Sequence, residues 1–376
     1  MKSLAFIILS FIFVQNSIAQ LTSLNIQNSE LSISSNSYDN ESTLCSHWSI
    51  DIPTASWGIS FGNSKNFSGL RFNYRDCDVE TVNGFNFTIW DAQSVTDSEV
   101  NGISLGVTPH ASRLNGLNLG FGLIAEEQMN GLNFGVLAAV SNGDISGLNF
   151  GGLALVSNGS MTGINFGGLA LVSEEDIGGI NFGGLAQVAN GNLVGINFGG
   201  LALVSNGNLT GFNIGGLALV SDADLSGVNF SLLASVANGN LSGINFSGLA
   251  LVSSEEIKGV NVGGLAVVGE ESLYGLSITL GQLQSNNEIW GLSISGYKTE
   301  TYDFTGANFT IAWTEIENMH GFSLAAYNRI YGEQKGLTIG IVNFAEELSG
   351  IQLGLINIAN NNSGIFKILP FVNAHF

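Results

Sequence analysis

Gly163-Ile164-Asn165-Phe166-Gly167-Gly168-Leu169-Ala170-Leu171-Val172 is one copy of a phrase that recurs through this chain. Asn165, Asn181, Asn197, Asn213, Asn229, Asn245 and Asn261 stand sixteen residues apart, each inside a copy. Nine copies, from Asn133 to Asn261, run with no insertion between them. A fixed period of this kind means that one structural unit is used many times. Apolar residues alternate at period two, and Gly-Gly recurs in mid-phrase, which penalises a helix, so each unit is β. The gaps carry turn chemistry, as in Ser157-Asn158-Gly159 and Ala189-Asn190-Gly191-Asn192.

Outward from this centre the phrase continues with looser spacing. It begins at Trp57 and Gly58, settles near fifteen and sixteen, and shortens again towards Gly350 and Gly364. No linker divides it, so residues 57–376 read as one repeat domain. Residues 20–56 are polar and rich in Ser and Asn, an arm, cap or plug. Residues 1–19 read as a secretory signal peptide: Lys2, the apolar run from Leu4 to Val14, and small residues at Ser17 and Ala19. Cys45 and Cys77 are the only cysteines. In an exported chain they form one disulfide or remain two thiols, since two residues fix no framework.

Two architectures suit the repeat. In a β-solenoid each unit is one coil, bent at Gly167-Gly168. In a closed barrel each unit is one strand and one turn. If residues 162–172 are one unbroken strand, the polar departures Gln187, Ser231, Ser235 and Ser247 all fall on the Asn face, whereas the Phe face stays apolar. A coil that buried Ile164, Phe166, Leu169 and Leu171 together would place Gln187 and Ser235 in a dry core, at roughly 1–3 kcal/mol for each unpaired group. Charge is confined to the turns, and eleven uncharged residues between them match a tilted membrane strand. These features favour an all-β, up-and-down antiparallel transmembrane barrel of about twenty strands, with the solenoid as the alternative. In the barrel Phe150, Phe166, Phe182, Phe198, Phe230 and Phe246 face lipid, and Phe166 lies opposite Gly184. Asn149, Asn165, Asn181, Asn197, Asn213, Asn229, Asn245 and Asn261 face the lumen, either lining a pore or forming a structural hydrogen-bonding row. The terminal Phe376, after alternating apolar positions, reads as the signal that outer-membrane assembly machinery recognises.

Gly336-Leu337-Thr338-Ile339-Gly340-Ile341-Val342-Asn343 and Gly350-Ile351-Gln352-Leu353-Gly354-Leu355-Ile356-Asn357 resemble the repeats of a family of bacterial surface-repeat proteins. The likeness covers about residues 116–376, and the ending Pro370-Phe371-Val372-Asn373 is similar as well. The central copies depart from that family's pattern, with Asn third and Leu-Ala-Leu-Val at the close. The resemblance implies export to the outer membrane or surface of a bacterium with two membranes, and no reaction.

A net charge of −20 argues against nucleic acid, which needs a basic face. The repeated unit offers no nucleophile, acid–base pair or metal-ligand cluster. His47, His110, His320 and His375 are scattered. The sequence therefore points away from an enzyme and calls for no cofactor. The expected partner is a lipid bilayer, and the expected role is a passive porin-like channel or structural surface protein. A secreted or surface-attached solenoid acting in adhesion is the alternative.

Overall fold

Asn165 pairs with Asn181, and Asn181 with Asn197, in parallel strands. Every residue of Met161–Gly167 stands beside the residue sixteen places further on. The chain therefore advances by one coil per repeat and returns to the same angular position. In the computed structural model, which describes residues 45, 48–95 and 97–376, this gives a parallel β-solenoid of about 17 turns.

The barrel expectation is thereby corrected. Neighbouring strands are parallel rather than antiparallel, and the sheet does not close on itself. The outer-membrane barrel and its porin-like channel fall with that finding. Nor is each repeat one strand: Met161–Gly167 and Ala170–Ser173 are separate strands, broken at Gly168 and Leu169. Phe166 sits beside Phe182, not Gly184.

The physical reason lies in the corners. Odd-numbered residues Met161, Asn165, Gly167, Leu171 and Ser173 are buried, whereas Gly163, Leu169 and Glu175 are exposed. Those three odd positions are where the chain turns outward. The alternation of faces is conserved along each side of the coil and interrupted at each corner. Ile164 and Phe166 consequently point out, together with Leu169, and the interior holds the other set. Met161, Ile177, Leu193, Leu209 and Leu225 form one buried apolar column, and Leu155, Leu171, Leu203 and Leu219 form another.

The first corner has a strict requirement. Gly163 adopts φ +113°, and a Cβ placed there would meet the Gly147 carbonyl oxygen at 2.1 Å. The same glycine recurs in every coil of the central array, each seated on the one before it. Only a residue without a side chain allows both the left-handed backbone and this approach.

Open parallel edges invite further pairing and need covering. At the first coil Ser49–Pro53 pairs antiparallel with Trp57–Gly62. At the last, Gly364–Lys367 turns the chain, and Ile368–His375 runs back antiparallel along residues 350–358. Gly364 thus leaves the coil instead of extending the repeat; nothing lies within 4 Å of a Cβ built on it. The signal peptide expected at residues 1–19 and most of the arm expected at residues 20–56 lie outside the described residues. Cys45 and Cys77 are both disulfide-bonded.

Glycines at two neighbouring positions of the repeat should behave differently. Gly195→Ala, with φ +117° and a Cβ 2.1 Å from the Gly179 carbonyl oxygen, is expected to lose about 2–5 kcal/mol of stability. Gly178→Ala, whose Cβ meets only the Met161 oxygen at 3.9 Å, should change stability by less than about 0.5 kcal/mol. Denaturant unfolding of both variants checks the contrast.

Candidate binding face

The Asn row forms the polar spine of the interior. Asn118 Nδ2 donates to Asn133 Oδ1 at 2.7 Å, and Asn133 to Asn149 at 2.7 Å. Asn149, Asn165, Asn181 and Asn197 each donate to the next at 2.8–2.9 Å. Asn213, Asn229 and Asn245 continue the run to Asn261 at 2.8 Å. All are buried, Asn165 to 1% exposure. A primary amide has a donor and an acceptor on opposite sides, so a copy one coil away satisfies both. The ladder has two loose ends, Asn118 Oδ1 and Asn261 Nδ2, which lack partners among the described residues. They mark where the ladder starts and where Ser277 replaces Asn. Hydrogen bonds in such a chain polarise one another, so the array is cooperative.

The polar departures are in the interior, as a coil requires, and are handled unequally. Ser235 takes a Leu position, and its hydroxyl meets Ser231 at 3.0 Å and Ser247 at 2.8 Å. Those two serines stand where neighbouring coils have Gly. Gln187 takes the same Leu column with Gly183 and Gly199 nearby, and neither end of its amide has a partner among the described residues. Towards the N-terminus the interior becomes ionic: fully buried Arg71 donates to Asp76 at 2.7 Å and Asn86 at 2.8 Å.

Outside, the Phe row forms two stacks, one of five rings and one of two. Phe134 and Phe150 rings lie 4.5 Å apart and within 5° of parallel. Phe150, Phe166, Phe182 and Phe198 follow at 4.9–5.0 Å. Ile214 interrupts the row, and Phe230 stacks on Phe246 at 5.0 Å. Beside it runs the Ile164 row, 48% exposed at Ile164, and beyond Gly168 the Leu169 row, also 48% exposed. From Gly131 to Leu265 the segments that make this face contain no charged residue.

Charge collects on the turn edge. Glu126, Glu174, Asp222 and Glu270 occupy one turn column at every third coil, separated by Asn or Ser. Asn142, Asn190 and Asn238 each donate to the carboxylate one coil earlier. Two shallow grooves open further along this edge and share Tyr302. One, about 390 Å³, is lined by Ser272, Asn287, Glu288 and Asp303; the other, about 260 Å³, includes Glu300, Glu315, Glu317 and Tyr331. Lys298 bridges Glu300 and Glu315 there. Burial alone would raise the Glu315 pKa, but its hydrogen bond and charge interaction with Lys298 hold it below the ordinary value. Glu300 and Glu315 are thus already paired within the fold.

No known protein family, curated protein or solved structure matches the chain. Its own geometry carries the functional reading. The expected Phe residues share one outward face, and the expected Asn residues share the interior. His110 lies between Asp91 and Glu126 at 2.9 and 3.0 Å, apart from the Phe face in sequence and chemistry. Phe376, 95% exposed, follows the terminal strand. Sequence reading missed Phe134 as the first ring of the stack and the Leu169 row as part of the exposed surface; the fixed phase of both within the repeat was the available signal.

Gln187→Leu should raise stability by about 1–3 kcal/mol, because it replaces a buried, unpartnered amide with the residue of the neighbouring coils. Urea unfolding of the variant beside the parent chain measures it.

Proposed function

We propose that this chain is an exported β-solenoid, secreted or attached to the bacterial surface, that acts in binding or adhesion rather than catalysis. The observation that carries this reading is the outward Phe, Ile and Leu ladder. Soluble monomers rarely expose contiguous apolar patches beyond a few hundred Å², and larger ones mark contact surfaces. Here the apolar rows continue through nine coils without a charge. The flat sides of a coil stack are rigid, so the rows are held at fixed spacing without a ligand to order them. The N-terminal signal pattern and the resemblance to surface-repeat proteins support export.

The experiment uses the full chain at nanomolar concentration on methyl-terminated and hydroxyl-terminated monolayers. Capture on the methyl surface should exceed that on the hydroxyl surface and fall at least tenfold in the Phe166→Ser, Phe182→Ser, Phe198→Ser triple variant. The unfolding transition of the variant shows whether the coils remain intact. Equal capture of an intact triple variant would remove the face from the function.

A further inference from the structure

We infer that the occupant of the Phe–Ile–Leu face is a second copy of this chain, packed face to face. This inference rests on the reading of that face as a binding surface and names its partner.

Three observations point to self-pairing. The first is pitch. The Phe and Ile rows repeat once per coil, at ring spacings of 4.5–5.0 Å. A surface ruled at that interval is matched row for row by another β-surface of the same interval, and this chain supplies one. A fluid apolar phase has no such ruling. The second is shape. A two-fold axis parallel to the coil axis reverses the order of rows across the strands. With the axis over the middle of the face, it sets the Phe166 row of one copy over the Phe166 row of the other and the Ile164 row over Gly168. The protruding Leu169 corner then faces the Gly163 corner, which has no side chain. An isologous contact of this kind uses one patch twice.

The third is area and charge. Nine coils at about 4.8 Å each, and about six residues across at 3.3 Å, make a face of roughly 40 Å by 20 Å. Two such faces bury roughly 1,600 Å², the size of a standard specific interface. The net charge of −20 opposes association in general, but the acidic columns are on the turns, at Glu174, Glu175 and Asp176, and not between Gly163 and Leu169. Side chains on flat sheets interdigitate at this distance without bringing in the turn edge. An anionic lipid surface, in contrast, would repel the same acidic chain.

Sedimentation velocity of the full chain in detergent-free buffer tests the inference. The expected result is a dimer at 10 μM. Phe182→Lys, at the middle of the face, should weaken dimerisation at least a hundredfold, and the gentler Phe182→Ser at least tenfold. Asn206→Lys, on the turn edge, should leave it unchanged. Circular dichroism and unfolding midpoints identify any variant that has lost its coils. A monomer at 100 μM overturns the inference, as does a dimer insensitive to both Phe182 variants. Flotation with phosphatidylcholine vesicles separates the two readings. A monomeric chain that floats in a Phe182-dependent manner keeps the binding face and gives it a lipid occupant. A monomeric chain that does not float, and shows no preference for the methyl surface, removes both.

Discussion

Every residue in the central coils has its own copy as nearest neighbour, one coil above and one below. That constraint governs what the sequence can contain. A side chain is acceptable if it is attracted to an identical side chain at roughly 4.8 Å. Asn satisfies the condition with an amide ladder, Phe with ring stacking, and Leu or Ile with van der Waals contact. Gly satisfies it where two backbones touch. A carboxylate satisfies it poorly, because like charges directly beside each other repel; Glu255 beside Glu271 and Glu300 beside Glu315, the latter pair bridged by Lys298, are exceptions. Acidic residues are therefore thinned to every third coil in the column of Glu126, Glu174, Asp222 and Glu270, with amides between most of them. The low charge content and the absence of insertions are two results of one geometry.

The interior and exterior then exchange their usual roles. The coil is narrow, so its inside accepts Gly167, Ser173 and Asn165 beside the Leu and Ile columns. In the central coils the Phe side chains all point outward, whereas nearer the ends Phe67 and Phe304 are buried. An amide ladder and serine hydroxyls satisfied by the preceding coil, as Ser173 Oγ donating to the Gly159 carbonyl at 2.6 Å, make a polar interior affordable without water. The apolar content displaced outward becomes the exposed Phe, Ile and Leu rows.

Much of this was legible in the sequence, and one step was not. Period, β character and the division of the phrase into an Asn face and a Phe face follow from alternation alone, as does the restriction of charge to turns. Strand direction does not, since side-chain parity is the same for a parallel coil and an antiparallel barrel. The decision rested on Gln187 and Ser235, taken as groups that no dry core would hold. Ser235 sits in that core with Ser231 and Ser247 as partners, and Gln187 sits there with none. The bent coil considered from sequence also buried the wrong set. It placed Ile164, Phe166 and Leu169 inside, because nothing in the phrase distinguishes Gly163 as a corner from Gly167 as a packed interior position. That difference lies in the backbone, φ +113° against an extended strand. At the ends, the antiparallel caps Ser49–Pro53 and Ile368–His375 break the repeat, and periodicity has no means of announcing them.

Parallel, in-register stacking is the claim on which the ladders, the corners and the outward face all depend. Pulsed electron–electron resonance on nitroxide pairs, diluted in unlabelled chain, tests it directly. Labels on Thr162 paired in turn with Thr210, Ser226, Ser242 and Lys258 are three, four, five and six coils apart. Their mean separation should rise steadily by about 5 Å per coil. Antiparallel neighbours would instead place odd-numbered partners at the far end of the strand, and a sawtooth between odd and even pairs would contradict the solenoid.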